Sequence, residues 1–145
     1  MSDAQWFQVA NTTALVSWLA LIVAPRRVAS WLRYAVPGAL ALLYVWAIAT
    51  SLPDSEGGFG SLAEVKTLFT SDRALLAGWV HYLAFDLFIG CWAVLDAQLR
   101  RIHHLLVVPC LLLTFMLGPA GLLTYLLLRE VVARRQLLFE RPDGG

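Results

Sequence analysis

Four apolar runs, each long enough to cross a bilayer as a helix, constrain this chain most strongly. A membrane helix needs about 20 mostly apolar residues. The runs extend over Trp6–Ala24, Tyr34–Leu52, Ala74–Leu95 and Leu105–Leu128. Backbone polar groups within hydrocarbon must be satisfied inside the protein, so we expect helices rather than isolated strands. The runs therefore predict an all-α membrane protein, a bundle of four transmembrane helices.

Composition supports this fold class and gives no sign of a second domain. Of the 145 residues, 59% are hydrophobic and 14% are charged, whereas soluble domains average about 25% charged residues. The net charge of +1 comes without a basic stripe, so we predict no nucleic-acid partner. We assign residues 1–135 to a single four-span membrane domain and residues 136–145 to a flexible C-terminal tail.

The loop between the second and third runs carries a helix signal of its own. After the turn-forming "PDSEGGFGSL", the stretch "SLAEVKTLF" puts its apolar residues on one helical face. Ser61 and Glu64 have the spacing of a capping box. We predict a short amphipathic helix on the membrane surface or across the mouth of the bundle, with a plain connecting helix as the alternative.

Gly118 and Pro119 interrupt the fourth run. Proline removes a backbone hydrogen bond and kinks a helix. Since the pieces on either side look too short for a re-entrant pair, we expect one kinked crossing. Four crossings put both termini on the same side of the membrane. Arginine and lysine then nearly balance between the two sides, so the orientation stays open. Near the expected span ends lie interfacial aromatic residues: Trp6, Trp31, Tyr34 and Tyr125.

The third run contains two polar residues, in "GWVHYLAFDLFIGCW", that a purely structural helix would avoid. Charged groups at membrane depth cost a few kcal/mol on insertion scales. His81 and Asp86 lie about 140° apart on a helix, so each needs partners on another helix. Tyr82 shares a face with Asp86. A functional role is our first interpretation, and a structural bridge between helices is the second.

Further polar residues could join them in one cavity of an antiparallel bundle. Asn11 lies in the first run, and His103 and His104 stand at the entrance of the fourth. Three histidines and an aspartate suggest a metal, but no His-x-x-x-His or His-x-x-His pair is present, so we predict none. Cys91 and Cys110 lie within apolar runs and are interpreted as buried small hydrophobic residues.

Three long strings carry a family resemblance: "GGFGSLAEVKTLF", "LAGWVHYLAFDLFIGCW" and "HLLVVPCLLLTFMLGPAGLLTYLLLR". They resemble the abscisic-acid-deficient-four-like family, whose known plant member is neoxanthin synthase, an enzyme of carotenoid metabolism. The resemblance covers about Phe7 to Arg129. It implies a four-span protein acting on a carotenoid or related isoprenoid. The plant proteins carry a plastid transit region that is not seen here, which fits a bacterial-type member in the cytoplasmic (inner) membrane.

The resemblance also implies a chemistry for the polar residues. Opening a 5,6-epoxide end group to an allenic alcohol is an isomerisation that needs an acid and a base but no cofactor. Desolvation disfavours a charged carboxylate, so Asp86 suits the acid, and His81 or His104 suits the base. The reverse assignment of acid and base stays open. The residues expected to bind the substrate are Asn11, Trp79, Tyr82 and Phe85.

Two other classes of function stay open beside this isomerase. The chain could be a non-catalytic carotenoid- or isoprenoid-binding or assembly protein, with the same polar residues anchoring a hydroxyl end group. Less strongly, an intramembrane aspartate and histidine suit a small proton-coupled transporter, although no inverted repeat is visible. The expected partners are the lipid bilayer and an apolar isoprenoid or carotenoid ligand, and a homodimer is left open.

Overall fold

The computed structural model describes residues 1–51 and 56–139. Helices account for nearly all of these residues, and no strand occurs among them, so the all-α prediction is confirmed. The helices are α1 (Asp3–Val23), α2 (Pro25–Ser51), α3 (Leu62–Leu68), α4 (Asp72–Leu99), α5 (His104–Leu117) and α6 (Pro119–Phe139).

Within the described residues, three helices are long and apolar enough to span a membrane: α1, α2 and α4. They have 21, 27 and 28 residues, against about 20 needed for a crossing. They correspond to the first three predicted runs. Helix α2 begins at Pro25 rather than at Tyr34, because proline at the first helical position brings a backbone angle already suited to a helix.

Helix α4 is the centre of the bundle and packs against both α1 and α2. Small residues let the neighbouring helices come close. At Gly90, an added Cβ would lie 2.5 Å from the ring of Trp18 on α1. Arg73 at the start of α4 donates to Asp3 at 2.7 Å and to Thr50 at 3.0 Å. These contacts join the start of α1 and the end of α2 to the start of α4, at what we call the α3 end of the bundle.

The predicted fourth span is wrong, because the chain reverses at Gly118. This glycine has φ +48° and ψ −100°, and three residues later the backbone of Gly121 lies directly against Thr114. In a continuous helix, residues seven apart are separated by about 10 Å along the axis. Helices α5 and α6 therefore form a tight hairpin with its tip at Gly118, and the expected single kinked crossing does not occur.

The hairpin extends only half-way along α4 and then returns. Helix α5 starts beside the C-terminal end of α4, and its tip lies against Asp86, near the middle of α4. On the way back, Tyr125 of α6 donates to Asp96 at 2.8 Å. The hairpin thus enters and leaves at one end of the bundle, which we call the arginine-rich end. A half-crossing needs only about ten helical residues, so pieces of 14 and 21 residues are long enough.

The hairpin also bears on two other expectations. Helix α1 begins at the α3 end whereas α6 ends at the arginine-rich end, so the described part of the chain does not begin and end at the same end of the bundle, as four crossings would require. Tyr125 is 1% exposed and packs between α6 and α4, with its hydroxyl on Asp96 near the end of α4; its interfacial level stays a prediction. Helix α6 continues to Phe139; residues 140–145 of the predicted tail lie outside the described residues, and its flexibility stays a prediction.

The short helix predicted in the long loop is confirmed as α3. The Ser61 hydroxyl accepts a hydrogen bond from the Glu64 amide at 3.2 Å. The Glu64 carboxylate accepts from the Gly60 amide at 3.1 Å, one residue before the position that a capping box requires. Leu68 is buried, and the ring of Phe69 covers Gly78 of α4. Helix α3 thus lies across the start of α4.

Candidate functional site

Asp86 faces the tip of the hairpin. If Gly118 carried a Cβ, this atom would lie 3.0 and 3.1 Å from the two carboxyl oxygens of Asp86. The carboxyl group therefore occupies space that only a glycine leaves free. Its Oδ2 atom is buried and has no hydrogen-bond partner among the described residues. An unsatisfied buried polar atom costs about 1–3 kcal/mol, which is a reason to look for a function.

Tyr82 lies one helical turn before Asp86 on the same face of α4. Its hydroxyl donates to the carbonyl oxygen of Phe115 on α5 at 2.9 Å and lies near the Asp86 carboxyl group. This hydrogen bond satisfies one of the last carbonyl groups of α5, which has no helical partner of its own. Tyr82 thereby fixes the hairpin tip against α4 at the level of Asp86.

A row of polar and aromatic residues continues from Tyr82 towards α1. The rings of Tyr82 and Trp79 are 5.5 Å apart. The indole N–H of Trp79 donates to Oδ1 of Asn11 at 2.8 Å. Four of the predicted site residues are thus brought together, and we call Asn11, Trp79, Tyr82 and Asp86 the Asp86 row.

His81 and Phe85 lie on a different face of α4. Their rings are stacked with centroids 4.6 Å apart, and Tyr44 of α2 is 5.5 Å from the His81 ring. Both side chains are exposed on the outer surface of the bundle, Phe85 to 60%. The 140° offset expected from the sequence separates the two side chains on α4. His81 lies against Tyr44 and Phe85, whereas Asp86 lies against Gly118.

His104 stands at the arginine-rich end, at the start of α5. Its Nε2 donates to the carbonyl oxygen of Ile22 at 2.9 Å, since a carbonyl oxygen can only accept. The 14 residues of α5 separate it from the tip, about 20 Å along the helix. His103 at the N-cap position is exposed and makes no capping hydrogen bond. Neither histidine reaches Asp86.

The sequence analysis missed the polar cluster that holds the hairpin in place. Asp96 accepts from Tyr125 and from Arg100, both at 2.8 Å, and Arg129 lies 3.7 Å away. Its side chain is only 15% exposed. The sequence offered one signal, the four-residue spacing of Asp96 and Arg100, but this is also the spacing of an ordinary surface ion pair. The partners on α6 follow from the reversal at Gly118.

Metal and thiol chemistry find no geometric support in the part of the chain that the structure describes. No group of three or more His, Cys, Asp or Glu residues there could hold a metal ion. Cys91 and Cys110 are buried and unpaired, one on α4 and one on α5. They pack in the apolar core beside Leu87 and Leu111, as small hydrophobic residues do.

Three apolar spans and a half-depth hairpin, whose tip meets a carboxyl group with one buried oxygen unpaired among the described residues, define a small helical membrane protein with a polar site among its helices. Residues 5–125 match the family model described as ABA DEFICIENT 4-like, and the chain belongs to this family. The resemblance found in the sequence is thereby confirmed, and the family indicates a carotenoid-related role. The comparison with curated proteins gives no match. Neither does the comparison with solved structures.

Proposed function

We propose that the protein isomerises a carotenoid or a related isoprenoid by acid/base opening of an epoxide, with Asp86 as the catalytic residue. One observation carries the proposal: a carboxyl group inside the apolar bundle, beside the hairpin tip, has a buried oxygen without a hydrogen-bond partner among the described residues. Intramembrane carboxyl groups are costly and mark sites of proton chemistry. The family supports the substrate class.

Access to the site fits an apolar substrate. Residues around the hairpin tip are exposed on the outer surface of the bundle, Met116 to 66% and Leu117 to 60%. In a bilayer this surface meets lipid tails, so a polyene can reach Asp86 without passing through water. Tyr82 lies near the carboxyl group, and the ring of Trp79 next to it extends the flat apolar surface towards α1.

The separation of both histidines from Asp86 changes the proposed assignment of the base. Protonated Asp86 gives its proton to the epoxide oxygen while the bond from this oxygen to the ring carbon that bears the polyene breaks, leaving a hydroxyl group on the other ring carbon. The resulting carboxylate takes the proton from the adjacent polyene carbon, and the C–H electron pair forms the second double bond of the allene. One proton leaves Asp86 and one returns, so the reaction needs neither a redox partner nor a second base.

Asp86→Asn tests this function. Asparagine keeps the shape and can still hydrogen-bond, but it cannot donate an acidic proton. We expect turnover of a 5,6-epoxy carotenoid to the allenic alcohol to fall by about 100-fold or more, the usual scale of acid–base catalysis, while binding persists. The matched control is His81→Gln, which changes an exposed residue on another face of α4 and should retain turnover. Full activity in Asp86→Asn would overturn the acid role.

A binding or assembly protein is the second candidate, favoured by the placement of His81 on another face of α4 and of His104 at the arginine-rich end. In that case the Asp86 row would anchor a hydroxyl or epoxide end group without chemistry. The wild-type protein would then bind the 5,6-epoxy carotenoid and release it unchanged, and Asp86→Asn would weaken binding itself. Measuring binding and product formation on the same preparations separates the two candidates.

A further inference from the structure

A second polar feature lies far from Asp86, at the arginine-rich end. The corner between α1 and α2 and the turn between α4 and α5 enclose an open cleft of about 930 Å³. Its floor is apolar, formed in part by Val94, Ala97 and Ile102. Its polar lining consists of Arg26, Arg27, Gln98, Arg101, His103 and His104. Three arginines and two histidines thus face one cleft whose lining contains no carboxylate.

The cleft arginines lack the carboxylate partners that four other arginines among the described residues have. Arg100 and Arg129 lie beside Asp96, Arg134 pairs with Glu130, and Arg73 pairs with Asp3. Within the described residues, Arg26, Arg27 and Arg101 form no ion pair. Placing like charges around one cleft without a counter-charge is unfavourable unless an anion is present to offset it.

The backbone at Arg101 gives an independent reason to assign a role to its side chain. Arg101 has φ +56°, a left-handed conformation that glycine adopts most readily. Its amide donates to the Gln98 carbonyl at 3.2 Å, and the Ile102 amide donates to the Ala97 carbonyl at 2.9 Å. This is the Schellman arrangement at the end of α4, in which glycine usually occupies the position of Arg101. The chain keeps an arginine at a position that favours glycine, and its side chain lines the cleft.

From these observations we infer that the cleft binds a phosphate group, as the headgroup of an anionic lipid presents it. Arginine side chains recognise phosphate through paired hydrogen bonds. The cleft lies where the apolar helices end, at the level of lipid headgroups, and exposed apolar side chains such as Val23 and Leu105 flank it. A lipid can therefore place its phosphate on the arginines and its acyl chains along these flanks. A soluble phosphate compound would share the headgroup chemistry without the acyl contacts.

Arg101→Gly provides a clean test, because it removes the side chain at a position where glycine is the favoured residue. The full-length protein, delipidated in neutral detergent, is titrated with phosphatidylglycerol, with phosphatidylcholine and with inorganic pyrophosphate, and binding is read by native mass spectrometry. We expect the wild type to bind phosphatidylglycerol in preference to phosphatidylcholine. Arg101→Gly should weaken binding by about fivefold or more, on the scale of one arginine at a membrane surface, and its thermal midpoint should not fall.

Lys66→Gln at the α3 end is the matched control for loss of one positive charge, and it should bind phosphatidylglycerol as the wild type does. A third outcome is that the wild type binds pyrophosphate but not phosphatidylglycerol, and that Arg101→Gly weakens the pyrophosphate binding. The phosphate site would then stand, but its ligand would be a soluble phosphate compound and not a lipid. Equal binding of both lipids would overturn the inference. So would equal losses in Arg101→Gly and Lys66→Gln, because binding would then follow net charge alone.

Discussion

Gly118 and Asp86 depend on one another at the scale of single residues. The reversal of the chain requires a backbone angle that glycine adopts, and the space left by the missing side chain holds the Asp86 carboxyl group. The sequence predicts a functional role for Asp86, because a carboxyl group in an apolar run is costly. It also identified Gly118 as a break in the helix. It could not bring the two together, because their contact depends on the direction that the chain takes after the break.

Gly118→Ala should therefore damage both the fold and the site. The added methyl group would meet the Asp86 carboxyl oxygens at 3.0 and 3.1 Å, and alanine is strained at φ +48°, a cost of about 1–3 kcal/mol. We expect a lower thermal midpoint and loss of turnover. Gly38→Ala is the control, since nothing lies within 4 Å of its added Cβ. There the helix should gain about 0.5–1 kcal/mol. Equal behaviour of the two variants would refute the packing of Gly118 against Asp86.

At the scale of helices, sequence reasoning works where an apolar run forms one helix and fails where a run forms two. Helices α1, α2 and α4 follow from length and hydropathy, and α3 follows from its cap at Ser61. The run Leu105–Leu128 has the same length and apolar character as a true crossing. Only the contacts of Thr114 with Gly121, and of Tyr125 with Asp96, distinguish a hairpin from a kinked span, and such contacts between distant residues are not encoded in hydropathy.

The hairpin should loosen when its bond to α4 is removed. Tyr125→Phe deletes the hydrogen bond from the buried Tyr125 hydroxyl to Asp96, and a bond to a charged group contributes about 1.5–3 kcal/mol. We expect a lower thermal midpoint and faster proteolysis within α6. Tyr44→Phe is the matched control, because the Tyr44 hydroxyl has no hydrogen-bond partner among the described residues. Its stability should stay within about 0.5 kcal/mol of the wild type. Unchanged proteolysis of α6 in Tyr125→Phe would contradict the anchoring role of Asp96.

For the whole molecule, the hairpin gives a basis for predicting the orientation that the sequence left open. With α6 returning to the same end, most basic residues gather there: Arg26, Arg27, Arg100, Arg101, Arg129 and Arg134. Among the described residues, the α3 end carries Lys66 and Arg73. Basic residues near span ends favour the cytoplasmic side, so the arginine-rich end is expected to face the cytoplasm.

Single-cysteine labelling can test this topology. In a variant with Cys91 and Cys110 replaced by alanine, a cysteine at Ser2 should react with an impermeant maleimide added outside intact cells. A cysteine at Arg134 should react only after the membrane is opened. The three spans and the half-depth hairpin together require this difference. Labelling of both positions from the same side would restore an even number of crossings and contradict the hairpin.

The hairpin also gives the protein an uneven cross-section. Within the described residues, three helices pass through the half of the bilayer towards the α3 end, while the hairpin adds two more helices to the other half. The protein is therefore a wedge, broad in the leaflet next to its arginines and narrow in the opposite one. A wedge expands one leaflet more than the other. The protein should therefore concentrate in curved regions of membrane where the leaflet next to its arginines is the convex one.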